Sequence, residues 1–198
     1  MNLSIIRLRP NLPLHDLSCT GGSGDGGGIA NWNGSTLNLS NSTVSANFSG
    51  AAGSGVFNQI NGGIVNIKSS IIALNYGGSF LDAETPDVYG PFTSKGFNLI
   101  GKKNGSTGFT AATDKKGAIA APLNPQLDPK GLRNNGGPTQ TIALLAGSPA
   151  IDQGTSASLA GTLTTDQRGA GFPRKVDDLS IANAAGGDGT DIGAFELQ

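Results

Sequence analysis

Short stretches in the first half of the chain alternate apolar and polar residues. The segments TLNLS (36–40) and IVNIK (64–68) place an aliphatic residue at every second position, which is the period of a β-strand with one buried face. STVSAN (42–47) and SIIALN (70–75) are two further strand candidates, and Gly, Asn and Ser separate them where tight turns are expected. No stretch of ten or more residues there has helical periodicity, so the pattern predicts β-strands.

These stretches recur at a fixed spacing. The segment GIAN (28–31) returns as GVFN (55–58) at an offset of 27 (55 − 28), and Leu37 and Leu39 return as Val65 and Ile67 at an offset of 28 (65 − 37). A repeat of this length with short strands predicts stacked coils of a parallel β-helix over residues 26 to about 125. Leu39 should then lie over Ile67 and Val44 over Ile72, with side-chain amide ladders in the pairs Asn31/Asn58 and Asn47/Asn75. A propeller or a β-sandwich with an accidental repeat is the alternative.

Several motifs resemble known bacterial families. GGGIAN, TLNLSNSTVSAN and VNIKSSIIALN are similar to coils of bacterial surface proteins with right-handed parallel β-helices, including the polymorphic outer membrane protein type. PDVYGPFTSKGFNLIG, NNGGPTQTIALLAGSPAIDQG, TDQRG and DIGAFE resemble the choice-of-anchor Q domain. Together these motifs cover roughly residues 26 to 196. The resemblance implies an all-β, right-handed parallel β-helix with an irregular C-terminal capping region, whose family-specific motifs start at about residue 86. It also implies a secreted, surface-associated protein without an assigned activity.

Residues 1–25 fit the repeat poorly. Their Arg-Leu-Arg-Pro stretch interrupts the apolar core that a signal peptide needs. A backward offset of 27 places Leu17 and Cys19 where Val44 and Ala46 lie, so we expect a remnant of an earlier coil, or alternatively a segment that folds over the end of the stack. The chain departs from the family pattern in ending two residues after DIGAFE. The interrupted apolar core and the coil remnant lead us to expect a C-terminal fragment of a longer secreted protein, or a gene model that starts late.

Composition narrows the function classes. The chain has 13 Lys and Arg against 14 Asp and Glu, a net charge of −1, which favours neither nucleic acid nor an anionic membrane as partner. The sequence contains no run of 18 apolar residues, which is the length that would predict a membrane-spanning helix. Cys19 and His15 are the only residues of their types, so an internal disulfide and a structural zinc site of the usual kind are excluded.

The C-terminal half holds charged residues beside aliphatic ones. We predict that the side chains of Asp152, Asp166, Arg168, Arg174, Asp191 and Glu196 form a structural cap, in which Arg168 or Arg174 pairs with a carboxylate and closes the last coil. The alternative is a Ca²⁺ site with oxygen ligands from Asp152, Asp166, Asp188 or Asp191, helped by the glycines of GGDGTD (186–191). No other cofactor is indicated.

No catalytic residues are predicted. Lys68 is the only charged residue between positions 26 and 80, with Asp25 at the border, so the coil faces offer no acid–base pair. The sequence therefore favours a non-catalytic extracellular or cell-surface structural or adhesion module, with an extracellular polysaccharide or a cell-surface partner. A polysaccharide lyase, a glycosidase or a carbohydrate-binding module is the alternative. Trp32 aligns with Gln59 in the repeat, which argues against a continuous aromatic platform.

Overall fold

The computed structural model describes residues 16–17, 24–32, 34–60, 63–77 and 85–198. These residues are all-β, and they contain no helix. Their larger sheets are parallel, which is compatible with a parallel β-helix or a related solenoid. The described residues up to 116 are called the stacked region below, and residues 117–198 the C-terminal region. Cys19 and His15 lie outside the described residues.

Three parallel sheets form the stacked region. The first sheet contains β1 (Asp16–Leu17), β4 (Thr43–Val44), β8 (Ile71–Ile72), β12 (Leu99–Ile100) and β14 (Lys115–Lys116). The second contains β2 (Ile29–Asn31), β6 (Val56–Asn58), β10 (Val88–Pro91) and β13 (Ser106–Thr107). The third contains β3 (Thr36–Ser40), β7 (Ile64–Lys68) and β11 (Thr93–Ser94).

Two small sheets complete the described strands. A parallel pair joins β5 (Phe48–Ser49) to β9 (Tyr76–Gly77). An antiparallel pair joins β15 (Ala157–Ser158) to β16 (Gly161–Thr162) in the C-terminal region. The rest of the described C-terminal region consists of turns, irregular segments and isolated bridges, so regular parallel pairing ends at β14.

The predicted strand registers are confirmed. Leu39 pairs with Ile67, and Val44 pairs with Ile72. The backbone of Leu17 pairs with Val44 at an offset of 27 (44 − 17), as the backward extension of the repeat predicted. The spacing changes in later strands: the offset from Val56 to Val88 is 32 (88 − 56), and that from Leu99 to Lys115 is only 16 (115 − 99).

Aliphatic residues from all three sheets fill the interior of the stacked region. Every residue predicted to lie inside is buried, and together with neighbours from β2, β6, β10 and β12 they form one cluster (Leu37, Leu39, Val44, Val65, Ile67, Ile72). Successive side chains of a strand point to opposite faces. Ile72 therefore belongs to this inner cluster, whereas Ile71 points outward into a second one.

Buried amide ladders run beside the aliphatic rows. Both predicted ladders are confirmed: Asn31 Nδ2 donates to Asn58 Oδ1 at 2.9 Å, and Asn47 Nδ2 donates to Asn75 Oδ1 at 2.8 Å. The second ladder continues to Asp87, whose Oδ1 accepts from Asn75 Nδ2 at 2.9 Å. A carboxylate suits the end of such a ladder because it accepts hydrogen bonds and leaves no amide N–H that needs a further acceptor.

A third ladder also ends in a carboxylate, that of Asp114. The backbone N–H of Ser42 donates to Ser70 Oγ, and that of Ser70 donates to Asn98 Oδ1. Asn98 Nδ2 then donates to Asp114 Oδ1 at 2.9 Å. Because buried polar groups are costly without partners, these ladders let the stack keep polar corners inside.

The C-terminal region packs against the outward side of the first sheet. Ile71 and Leu99 contact a cluster of buried C-terminal residues (Leu127, Ile142, Leu144, Ala150, Ile151, Ile192, Phe195). Gly193, at φ 105°, approaches so closely that a Cβ there would lie 2.8 Å from Thr43 Oγ1 and 2.9 Å from Ile71 Cδ1. Glycine is therefore required at this contact. The part of the chain that the structure describes has no helix long and apolar enough for a membrane crossing.

Candidate functional site

Arg168 and Asp166 form a buried ion pair two residues apart. Arg168 Nη2 lies 2.6 Å from Asp166 Oδ2, and Nε donates to the same oxygen at 2.9 Å. Nη2 also donates to the carbonyl of Glu196 at 2.5 Å. The guanidinium lies 4.1 Å from the ring centroid of Phe172 and 4.0 Å from that of Phe195. Arg168 thus joins TDQRG to DIGAFE through charge, hydrogen bonding and aromatic contact.

Arg174 joins the C-terminal region to the stacked region. Its side chain is fully buried and lies 3.6 Å from Glu196 Oε2. Nη2 donates to the carbonyls of Asp191 and Gly193 at 2.8 and 2.7 Å, and to Asn41 Oδ1 at 3.1 Å. Burial lowers the pKa of Arg174, and the carboxylate of Glu196 opposes that shift. Asn41 lies far away along the chain, at an offset of 133 (174 − 41), so this contact fixes tertiary structure.

Two buried carboxylates accept backbone N–H groups. Asp191 accepts from Asp152 N–H at 2.9 Å and from Leu197 N–H at 2.7 Å. Glu196 accepts from Val176 N–H and Asp191 N–H, both at 3.0 Å. Burial raises the pKa of Asp191 to about 6 and that of Glu196 to about 9, although Arg174 and the backbone donors oppose both shifts.

The remaining calcium candidates are engaged differently. Asp152 is buried at φ 56°, and its Oδ2 accepts from Asp178 N–H at 3.2 Å, while its Oδ1 has no hydrogen-bond partner. Burial raises the pKa of Asp152. Asp188 Oδ2 accepts from the Ser156 hydroxyl at 2.5 Å; burial alone would raise the pKa of Asp188, but hydrogen bonds from Ser156 hold it below its usual value.

The four calcium candidates do not make a common coordination sphere. Asp166 binds Arg168, both oxygens of Asp191 bind backbone N–H groups, and Asp188 binds Ser156. Within the described ranges, no group of three or more acidic, His or Cys side chains is arranged to hold a metal ion. Calcium binding therefore stays a prediction without a ligand set.

The charged cluster lies beside the first sheet. Ala194 N–H donates to Thr43 Oγ1 at 3.1 Å, and Gly193 N–H donates to the carbonyl of Ser69 at 3.0 Å. Thr155 N–H donates to Ser69 Oγ at 3.2 Å. The prediction from sequence put these charges at the end of the last coil, whereas these bonds hold the C-terminal region along the side, next to β4 and β8.

Aromatic side chains form a stack on the outward side of the second sheet. The ring centroids of Trp32 and Phe57 are 4.8 Å apart, and those of Phe57 and Tyr89 are 5.8 Å apart with nearly parallel planes. The alignment of Trp32 with Gln59 argued against a continuous aromatic platform; the Trp32 and Phe57 planes are tilted by 39°, although the two rings are in contact. Trp32 reaches across to the neighbouring row and contacts Phe57.

Sequence reasoning missed the partners of the cluster inside the stacked region. Asn41, Thr43 and Ser69 carry no signal that distinguishes them from other polar turn residues. Asp87 and Asp114 were missed as ladder ends because the later strands depart from the offset of 27 or 28. The larger offset between Phe57 and Tyr89, which is 32 (89 − 57), likewise hid the aromatic stack.

Comparison with known proteins adds no relative. No protein-family model matches the chain, and neither the curated proteins nor the solved structures give a match. Inferences about function therefore rest on the fold and on the placement of the side chains.

Proposed function

We propose that the chain is a non-catalytic structural or adhesion module of a bacterial secreted or cell-surface protein. In this proposal it is a right-handed parallel β-helix whose coils repeat at an offset of 27 or 28, as in the ladder pairs Asn31/Asn58 and Asn47/Asn75. The resemblance of the C-terminal motifs to the choice-of-anchor Q domain supports the family and the extracellular location. An extracellular polysaccharide or a cell-surface component is the proposed partner.

The hydrogen bonds of the buried carboxylates support the non-catalytic part of the proposal. Asp166, Asp191 and Glu196 are buried, and each accepts at least two hydrogen bonds from the protein. A general acid or base must reach its substrate within hydrogen-bond distance. These carboxylates instead hold backbone N–H groups and arginines, which is a structural role.

A polysaccharide lyase or glycosidase is the competing function. The raised pKa values of Asp191 and Glu196 are of the kind that active sites use, but both side chains are shielded from solvent. Glycosidases need two carboxyl groups that flank an accessible sugar bond. The outward faces of β3 and β7 carry Lys68 among amides and hydroxyls, with no carboxylate in either strand.

Incubation with polysaccharides tests the proposal. Purified protein given pectin, alginate, hyaluronan or xylan, with and without Ca²⁺, should release neither unsaturated nor reducing ends. Lys68→Gln and Asp152→Asn proteins serve as controls and should behave like wild type. Turnover that one Lys, Arg or Asp substitution abolishes would replace the surface module with a lyase or hydrolase.

A further inference from the structure

Two rings of the aromatic stack of Trp32, Phe57 and Tyr89 pack closely in the second sheet. Phe57 and Tyr89 are directly paired neighbours on β6 and β10, and their rings are within 5° of parallel. Gly105, at φ 77°, lies against the far side of Tyr89, since a Cβ there would be 2.6 Å from Tyr89 Cδ2. The ring of Tyr89 therefore packs between Phe57 and the Gly105 backbone, and Tyr89 has little side-chain freedom to lose when a ligand binds.

The stack ends in an exposed indole. Phe57 is 7% exposed, whereas Trp32 remains 41% exposed although it contacts Phe57. Ile60 and Ile64, on the turn and strand that follow β6, are also exposed, and Ile64 pairs with Thr36 on the strand after Trp32. Exposed apolar residues that collect at one corner indicate an interaction site more strongly than scattered ones do.

The surroundings of this corner are neutral and polar. Trp32, Phe57, Ile60 and Ile64 have no ionisable side chain. On β7, Asn66 follows Ile64 on the same outward face, and its Nδ2 donates to Asn38 Oδ1 at 2.8 Å. Lys68 lies at the opposite end of β7. Within the described strands, the surface combines an aromatic edge and fixed amide groups at one end with Lys68, which follows Asn66 on the same outward face, at the other.

We propose that this corner, the aromatic stack with the Asn38–Asn66 amide pair, binds a neutral polysaccharide. The inference rests on the proposed surface-module function and names the ligand class of that module. The C–H faces of a pyranose pack on aromatic rings, and its hydroxyls match amide groups, which both donate and accept hydrogen bonds. A uronate chain would bring carboxylates to the aromatic end of the corner, where Trp32, Phe57 and Ile64 offer them no positive charge.

Affinity electrophoresis of the full chain tests the site. Native gels should contain xylan, a mixed-linkage β-glucan or, for comparison, polygalacturonate. Trp32→Ala should weaken retardation by the neutral polysaccharide about tenfold, which corresponds to about 1.4 kcal/mol, and Trp32→Phe should restore part of it. Tyr76→Ala is the matched control: Tyr76 is an exposed aromatic that contacts Phe48 on a different sheet. It should leave binding unchanged.

The single tryptophan supplies a second measurement. Trp32 is the only Trp in the chain, so neutral oligosaccharides should shift its fluorescence and protect it from acrylamide quenching in the wild type and in Tyr76→Ala. This readout stays valid if Trp32→Ala alters folding.

Three results would overturn the site. The first is an equal loss of retardation in Trp32→Ala and Tyr76→Ala. The second is retardation by polygalacturonate that Lys68→Gln abolishes. The third is the absence of both retardation and a fluorescence change with either neutral polysaccharide. Degradation of a bound glycan would instead refute the non-catalytic function and leave the site standing.

Discussion

The stacked region and the C-terminal region both bury polar groups, but of different kinds. In the stacked region the buried groups are mostly neutral amides and hydroxyls, such as Asn47 and Asn75, each bonded to its counterpart on the next strand. In the C-terminal region they include a close ion pair, that of Arg168 and Asp166. Regular parallel strands pair their backbone N–H and C=O groups with those of the neighbouring strands. An irregular chain leaves N–H groups that need acceptors, and a carboxylate supplies several at once.

The two regions should therefore respond differently to substitution. Loss of an aliphatic or amide residue in the stacked region removes one member of a repeated row, so the damage should stay local. Loss of a charged residue in the C-terminal region strands an opposite charge and several N–H groups together. We expect the largest effects there.

Replacement of Arg168 should have the largest effect. Arg168→Ala leaves the buried carboxylate of Asp166 unpaired, which typically costs about 3 to 5 kcal/mol. Arg133→Ala, which removes a partly exposed ion pair with Asp128, should cost no more than about 1 kcal/mol. Urea unfolding measures both free energies.

Chelation separates the ion pair from a metal site in the same assay. EDTA should leave wild-type unfolding unchanged. If EDTA destabilises the wild type and Asp191→Asn reproduces that loss, the cluster binds a cation. If Arg168→Ala unfolds like wild type and EDTA has no effect, the charges contribute nothing to stability.

Truncation of an inner aliphatic residue should have the next largest effect. Ile67→Ala empties a fully buried position in the middle of β7 and should cost about 2 to 4 kcal/mol. Ile64→Ala, in the same strand but 55% exposed, should change unfolding by less than about 0.5 kcal/mol. Similar costs for the two variants would contradict the assignment of inward and outward faces.

Breaking an amide ladder should lower the free energy of unfolding by less than Arg168→Ala or Ile67→Ala does. Asn75→Ala removes the side-chain acceptor of Asn47 N–H and the side-chain donor to Asp87 Oδ1, and about 1 to 3 kcal/mol should be lost. Asn66→Ala removes the exposed ladder bond to Asn38 and should cost well under about 1 kcal/mol. If Asn66→Ala lowers the free energy of unfolding as much as Asn75→Ala does, burial does not determine how strongly these ladder bonds stabilise the protein.

The pH dependence of stability should reflect the buried acids. Because burial raises the pKa of Asp191 from 3.8 to about 6, the folded state holds that proton longer than the unfolded state. This contribution to stability is complete below pH 3.8 and is lost as the pH rises to about 6. Asp191→Asn should therefore flatten the decline of the unfolding free energy over this interval. A wild-type stability that rises relative to Asp191→Asn between pH 4 and 6 would contradict the raised pKa.

Sequence reasoning predicted the regular region well because its signals are local. The alternation in TLNLS and IVNIK and their offset of 28 (67 − 39) predicted the pairing of Leu39 with Ile67. The charged cluster was recognised as a set, since carboxylates beside aliphatic residues need partners. The position of the cluster was not predicted. A contact such as that of Arg174 with Asn41 depends on how an irregular chain folds back, and no periodicity in the sequence encodes that.

The attachment of the C-terminal region to the side of the first sheet is tested most directly by a designed disulfide. In a Cys19→Ser background, Thr43→Cys combined with Ala194→Cys introduces thiols at two adjacent residues, since Ala194 N now donates to Thr43 Oγ1 at 3.1 Å. Mild oxidation followed by peptide mapping should show a 43–194 link in high yield. The control pair Asn38→Cys and Ala194→Cys, with residue 38 on the outward face of the third sheet, should show none. A missing 43–194 link, or an equal yield from the control pair, would contradict the lateral attachment.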